Sequence, residues 1–457
     1  MRDKKILVTL KFAGGELNPF DGAALETALS IGATDITVLA MAPASVAEHL
    51  RGLTRLGVKA VLISDRLYAG SDTQVTARVL EAACRRLSPD LIFCGRQSVD
   101  GDTAQVPPML AERLDFSVLP KVMTTDGHTV TLRDGRTLTP EKGSVLTFER
   151  IATLRFPSMF SRPSEVIVWD NTVLALDPAL CGLAGSPTRV VRSYESHVGR
   201  RECRYVTPDR LDDLIREGLS ESSKTAEVYT GEKMPCIHYV GELSALAASL
   251  GERAVRVESA GKSARELAAE LQDSGAKVVL FEDTEENKLL APAVAVHTGA
   301  GLCADCISFR VEDGRLVMTR PARGGNVTAD IVCTGEMGMA TVRTPKKGGS
   351  DLIFSVGRGA LASLPKIRAL AQKYGAELCC SRPVTDGGKM PYTAQIGLTG
   401  RVVAPRVYVA FGISGAVQHT CAISGAGRVI AVNTDRAADI FTYSDYGILC
   451  DIADIKE

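Results

Sequence analysis

The chain has 457 residues, and its 53 Lys and Arg nearly balance its 54 Asp and Glu. That length predicts about three domains of ~150 residues each, and the balanced charge excludes a nucleic-acid or anionic-membrane partner held by net charge. Small molecules and proteins remain as partners. No run approaches the roughly 20 apolar residues of a membrane span. The apolar run near Met1 is too short for a signal peptide, and the twelve cysteines show no dense spacing pattern, so a cytoplasmic protein with reduced thiols is expected.

Residues 1 to 115 alternate β-rich runs (Ile6 to Leu10, Ile36 to Ala40, Val58 to Ile63, Leu91 to Cys94) with helical patterns at Ala23 to Ile31, Ala44 to Leu56 and Thr73 to Leu87. This predicts a parallel sheet covered by helices on both faces, with ligands beyond the carboxyl ends of its strands. Two loops there carry candidate residues. In Asn18-Pro19-Phe20-Asp21 the Asn and Asp either cap the next helix or hold a ligand hydroxyl. In G-R-Q-S-V-D-G-D-T-A-Q-V-P-P, Gly95 to Pro108, Asp102 and Gln105 match a capping box that starts a helix at Thr103. Backbone N–H groups and Arg96 in this loop suit a phosphate, and a carboxylate suits a ribose hydroxyl. A solvated acidic turn is the alternative.

From Lys121 to Arg155 the period becomes two, broken by the hairpin dipeptides Asp126-Gly127 and Asp134-Gly135. Leu154 to Pro163, L-R-F-P-S-M-F-S-R-P, sets apolar residues among prolines and reads as a docking loop or as core packing. Residues 191 to 233 are polar, with one helical pattern from Pro208 to Leu219, and read as a linker. Beyond it the pattern restarts. Asp90 to Arg96 is echoed by Lys277 to Asp283, Asp134-Gly135-Arg136 by Asp313-Gly314-Arg315, and Ala152 to Pro157 by Ala340 to Pro345, which predicts a duplicated domain. The second copy carries E-D-T-E-E-N-K in place of the Gly-Arg loop, so only the first should bind a nucleotide. Cys303 and Cys306 have no second pair at zinc-ligand spacing, and no metal site is expected. K-K-G-G-S, residues 346 to 350, marks a further boundary before a third α/β unit.

That unit contains the richest stretch, Gln395 to His419. A glycine-rich loop leads into a strand from Val407 to Phe411, and a turn at Gly412-Ile413-Ser414-Gly415 then opens a helix bearing Gln418 and His419. Glycines admit close backbone approach, and a helix's first turn offers N–H donors to an anion. Ser414 reads as the N-cap.

Taken in order, these motifs resemble the electron transfer flavoprotein family. Residues 349–457 are similar to the FAD domain of its α-subunit through Gly357-Arg358-Gly359, Ser381-Arg382, the stretch from Gln395 to Pro405, Gly412 to His419 and Asp445-Tyr446-Gly447. Residues 1–190 resemble the β-subunit through Asn18-Pro19-Phe20, Gly95 to Val106 and Gly182 to Val190. Residues 234–348 resemble the α-subunit's first domain through Gly301 to Cys306, Thr319 to Asn326 and Met339 to Arg343. The implied fold is α/β: two related parallel-sheet domains like the adenine nucleotide hydrolases plus a C-terminal Rossmann-like FAD domain, fused β-then-α through the 191–233 linker.

The resemblance implies that FAD is held by Arg358, Ser381, Arg382, Ile396, Gly397, Leu398, Thr399, Ser414, Gly415, Ala416, Val417, Gln418, His419, Asn433 and Asp451. Arg382 would lie over the flavin, Thr399 near N5 and His419 near the C2 carbonyl, where a donor raises the potential. In the N-terminal half the family holds AMP or a second FAD, and Thr9, Asn18, Pro19, Phe20, Asp21, Met41, Gln97, Asp100, Gly101, Asp102, Thr103, Ala104 and Gln105 carry over as contacts. The implied activity is electron transfer through FAD between a dehydrogenase and another redox partner. With a second FAD this becomes bifurcation of electrons from NADH, with a ferredoxin or flavodoxin as acceptor. An acyl-CoA dehydrogenase-like or other flavin dehydrogenase would dock near Met159, and the FAD domain would swing on the segment Thr344 to Ser350. The readings in competition are a plain carrier with one FAD and a structural AMP, and a non-redox nucleotide-binding sensor or assembly protein. The chain departs from the pattern at Leu398, where the family usually has Gln, at Pro107, and in its shortened segment between Lys11 and Asn18.

Overall fold

A computed structural model describes residues 1–196, 199–221, 229, 231–344 and 349–455. The chain divides into one unit of Met1–Ser193, Tyr229–Arg323 and Ala329–Val342, and a second of Tyr194–Val228, Gly324–Thr328 and Arg343–Glu457. Residues 345–348 of the expected hinge, and 222–225 within the expected linker, lie outside the described residues.

The first unit holds two parallel sheets. In the N-terminal one the order is Val166–Trp169, Lys59–Ile63, Asp35–Met41, Lys5–Leu10, Leu91–Gly95, Ser144–Phe148, Ser117–Thr125. All of these pair in parallel, and the two Asp-Gly turns then add Val130–Leu132 and Thr137–Leu138 antiparallel. Strand residues alternate between faces, so Ile6, Val8 and Leu10 join one core cluster and Leu7 the other. The second sheet runs Gly251–Arg256, Met234–Val240, Val278–Glu282, Gly338–Val342, Gly301–Cys306, again all parallel. These five repeat the order of the five strands from Asp35–Met41 to Ser117–Thr125. The duplication extends to detail. Each copy bulges at a non-glycine residue of positive φ, Lys121 (55°) and Asp305 (60°). Its N–H donates to a threonine hydroxyl on the next strand, Thr147 at 2.9 Å and Thr341 at 2.8 Å.

The second unit is a six-stranded parallel sheet in the order Arg204–Val206, Tyr446–Leu449, Arg428–Asn433, Val407–Phe411, Leu352–Val356, Glu377–Cys380. Its edge strand corrects the expectation that 191–233 is only a linker. The helix Leu211–Ser220 buries Leu211, Leu214 and Ile215, spaced to form one apolar stripe, in this unit's core. Arg428 donates to Leu214 O at 2.9 Å and pairs with Glu217 at 3.2 Å. Among the described residues no helix is long and apolar enough to cross a membrane.

Candidate functional site

In the second unit the strand order reverses between Leu352–Val356 and Val407–Phe411. A crevice forms at such a switch point, beyond the carboxyl ends of the strands. The loops leaving the two strands meet there along their backbones, with Gly359 N donating to Gly412 O at 3.2 Å. A Cβ on Gly357 would sit 2.7 Å from Ile413 Cα, and one on Gly412 (φ 58°) 2.8 Å from Ala360 Cβ. Only glycine permits that approach.

Every residue that the resemblance assigns to FAD lies at or after the carboxyl end of a strand of this sheet. Arg358 is exposed after Leu352–Val356, and Ser381 and Arg382 follow Glu377–Cys380. The loop Ile396–Thr399 is tied to the turn after Val407–Phe411: Leu398 N donates to Gln418 O at 2.8 Å, and Thr399 Oγ1 accepts from Gln395 Nε2 at 2.9 Å. Asn433 closes its strand, with Nδ2 on Ile413 O at 2.9 Å, and Asp451 follows Tyr446–Leu449 as the exposed cap of Ile452–Asp454.

Two expectations need correction. The helix is Val417–Thr420 with Ala416 as its N-cap, so Ser414 does not cap it and Gly415 and Ala416 precede it. His419 does not offer a free ring nitrogen. It is buried, Nδ1 donates to Ile396 O at 3.1 Å, and Nε2 accepts from Tyr408 Oη at 2.7 Å. A carbonyl only accepts, which sets the tautomer. Burial pulls its pKa down to about 4, against the pull of the Ile396 carbonyl, so the ring is neutral. The unfolded chain takes up this proton near pH 6.5 and the folded one only near 4. The second unit should therefore lose up to about 3 kcal/mol as pH falls through that window. A His419→Gln chain should lack this slope in urea midpoints at pH 7 and 4.5; an unchanged slope would sink the assignment.

The first unit holds a cavity of about 940 Å³ at its own switch point, between Lys5–Leu10 and Leu91–Gly95. Of the N-terminal candidates, Thr9, Asn18, Asp21, Met41, Gln97, Gly101, Thr103, Ala104 and Gln105 line it, while Pro19, Phe20, Asp100 and Asp102 do not. Asn18 does not cap with its side chain. Its Nδ2 donates to Gln97 O at 2.9 Å, and its buried Oδ1 has no partner among the described residues. That acceptor suits a ligand hydroxyl. Asp21 accepts from Lys11 N at 2.7 Å and Gly95 N at 2.9 Å, and burial pushes its carboxyl up to about 7 against those bonds. Arg96 is not a phosphate anchor, for it pairs with the buried Glu149 at 3.2 Å. The helix starts at Val106, not Thr103, because Asp102 (φ 51°) and Ala104 (φ 54°) are left-handed. The far wall, from Ser64 to Thr76, carries no motif and escaped the sequence reading. Its one signal was position, directly after a parallel strand.

The second copy differs at the equivalent place. Glu282 stands where Gly95 does, at the end of the equivalent strand, and its Oε2 accepts from Glu242 N at 2.9 Å, the bond that Asp21 makes to Lys11 N in the first copy. On the surface of the first unit, Phe156, Met159 and Phe160 are 96%, 87% and 92% exposed.

Comparison with known proteins agrees with this layout. Residues 6–136 and 247–346 each match the electron transfer flavoprotein domain, and residues 348–424 match the electron transfer flavoprotein FAD-binding domain. The electron transfer flavoprotein subunit alpha of Methylophilus methylotrophus is 47% identical over 223 residues, covering 39% of this chain and 70% of that protein. Protein FixB of Rhizobium meliloti is 31% identical over 224 residues (38% and 63%). Subunit LctC of the lactate dehydrogenase (NAD(+),ferredoxin) of Acetobacterium woodii is 32% identical over 222 residues (39% and 53%). With two copies of one family domain and the family's FAD-binding domain in a single polypeptide, the chain belongs to the electron transfer flavoprotein family.

Proposed function

We propose that the chain carries electrons between a flavin dehydrogenase and a second redox partner, using FAD in the crevice of the C-terminal domain and an adenine nucleotide in the N-terminal cavity. The N-terminal half plays the part of a β-subunit and the rest that of an α-subunit. Bound FAD supplies reversible electron acceptance. The chain's own residues hold it, with the Gly412 to Gly415 turn and Arg358 at the pyrophosphate, Thr399 and Arg382 at the ring, and Asn433 and Asp451 at the adenosine end. His419, being neutral and internally bonded, props the Ile396 to Thr399 loop.

The observation that favours a second FAD over AMP is the size of the cavity. About 940 Å³ lies near the top of the ~300–1,000 Å³ typical of small-molecule sites, more than a mononucleotide needs. A second FAD would make the chain a bifurcating protein fed by NADH with a ferredoxin or flavodoxin as acceptor, in keeping with the name of the Acetobacterium woodii relative. Releasing the cofactors and counting them per chain tests this. Two FAD support bifurcation, one FAD with one AMP makes a plain carrier, and a colourless protein after cofactor resupply refutes the redox reading in favour of a nucleotide sensor.

The tip formed by Phe156, Met159 and Phe160 is where an acyl-CoA dehydrogenase-like partner would dock. Changing Phe156 and Phe160 to Ser should lower electron delivery from the dehydrogenase by about ten-fold or more, as expected for truncated aromatic anchors, without lowering the unfolding midpoint. Unchanged delivery would move the docking face elsewhere.

A further inference from the structure

Nine non-glycine residues of the described chain have positive φ, and three of them, Asp102, Ala104 and Arg323, meet beside the N-terminal cavity. Asp102 and Ala104 shape the loop that lines it. Left-handed backbone is unfavourable for any residue with a Cβ and persists where its surroundings enforce it. The enforcement comes from the other copy of the domain. Arg320 Nη2 donates to Asp102 O at 3.1 Å, Arg323 N donates to Asp100 O at 3.2 Å, and Gln105 Nε2 donates to Leu302 O at 3.3 Å. Arg320 is the strongest of the three, being a cation that is 4% exposed and donates a charge-assisted bond to the Asp102 carbonyl while its Nε has no partner among the described residues.

We propose that Arg320 is a positioning residue for the N-terminal nucleotide site: the second parallel-sheet domain holds the first domain's loop in its binding shape. The site is then complete only when the two copies are paired, which gives the second copy a role. This rests on the reading of the cavity as an adenine-nucleotide site.

The test uses the full chain stripped of nucleotide and titrated with AMP. Arg320→Ala should weaken AMP binding by about ten-fold or more while the FAD held by the C-terminal domain stays at the wild-type level. Ala104→Gly placed in the Arg320→Ala chain should recover most of the affinity, because glycine takes the left-handed form unaided; a residue that merely stabilised the fold would not be rescued in this way. Should Arg320→Ala fail to fold, Arg320→Lys is read by the same titration and should fall between wild type and the full loss. AMP affinity within about two-fold of wild type in either Arg320 variant, or no recovery with Ala104→Gly, overturns the inference. Failure of the unaltered chain to bind either AMP or FAD at this site overturns the nucleotide reading itself.

Discussion

A Gly415→Ala chain should purify without FAD while its first unit stays folded. Gly415 has φ 95°, and a Cβ there would lie 2.5 Å from Asp439 C and 2.6 Å from Ile440 Cα. These are backbone atoms and cannot rotate away. Ile440 is also fixed, because its N–H donates to Ser414 O at 3.0 Å and its side chain is buried. Relief therefore requires moving the Gly412 to Gly415 turn, the one assigned to the pyrophosphate. Overpacking of this kind costs about 1–3 kcal/mol, and left-handed backbone adds about 1–2 kcal/mol for a residue with a Cβ. Flavin absorbance per chain and the denaturant midpoint of the second unit measure the effect. Gly375→Ala is the control: its φ is 64° but among the described residues nothing lies within 4 Å of the added Cβ, so it should cost only the left-handed penalty of about 1–2 kcal/mol and keep the flavin. Full flavin content in Gly415→Ala would show that the turn is not the cofactor's cradle.

How far the sequence revealed this arrangement depended on whether the information was local. The duplicated sheet was legible in part from turn chemistry: Asp313-Gly314 closes the first hairpin after the second copy's bulge, the place that Asp126-Gly127 holds in the first copy, whereas its apparent echo Asp134-Gly135 closes the next hairpin. The FAD crevice was legible because glycines at 357, 412 and 415 are required by backbone approach. The loop after Gly95 was misread, because Asp102 and Ala104 are left-handed, and the bonds this loop accepts at Asp102 O and Asp100 O come from Arg320 and Arg323 far along the chain. Residues 204–206 passed for linker because three residues hold no periodicity, and their strand exists only through pairing with Tyr446–Leu449. His419 is a similar case. Its partner Tyr408 lies on the preceding strand, eleven residues earlier, and nothing local distinguishes a ring turned inward from one turned toward a ligand.

At the N-terminal cavity, Gly95→Ala should be severely destabilising. The added Cβ would lie 2.7 Å from Phe20 Cβ and 2.8 Å from Asp21 N, and closer still to Asp21 Oδ1. Asp21 would have to withdraw, and it is the group that takes the Lys11 and Gly95 N–H bonds at the cavity's inner end. Each buried donor left without a partner costs about 1–3 kcal/mol, to which overpacking adds a similar amount. A loss of about 3–9 kcal/mol is a large share of the ~5–15 kcal/mol that holds a domain folded. The first unit's unfolding midpoint should fall steeply and its bound nucleotide should be lost, with the FAD absorbance of the second unit retained. A second substitution separates the two causes. If the carboxylate is what the new methyl strikes, Gly95→Ala with Asp21→Ala should be less destabilised than the sum of the single changes, because the clash and the lost bonds share one side chain. Strict additivity would instead assign the damage to Phe20 and the backbone, and would remove Asp21 from the centre of the site.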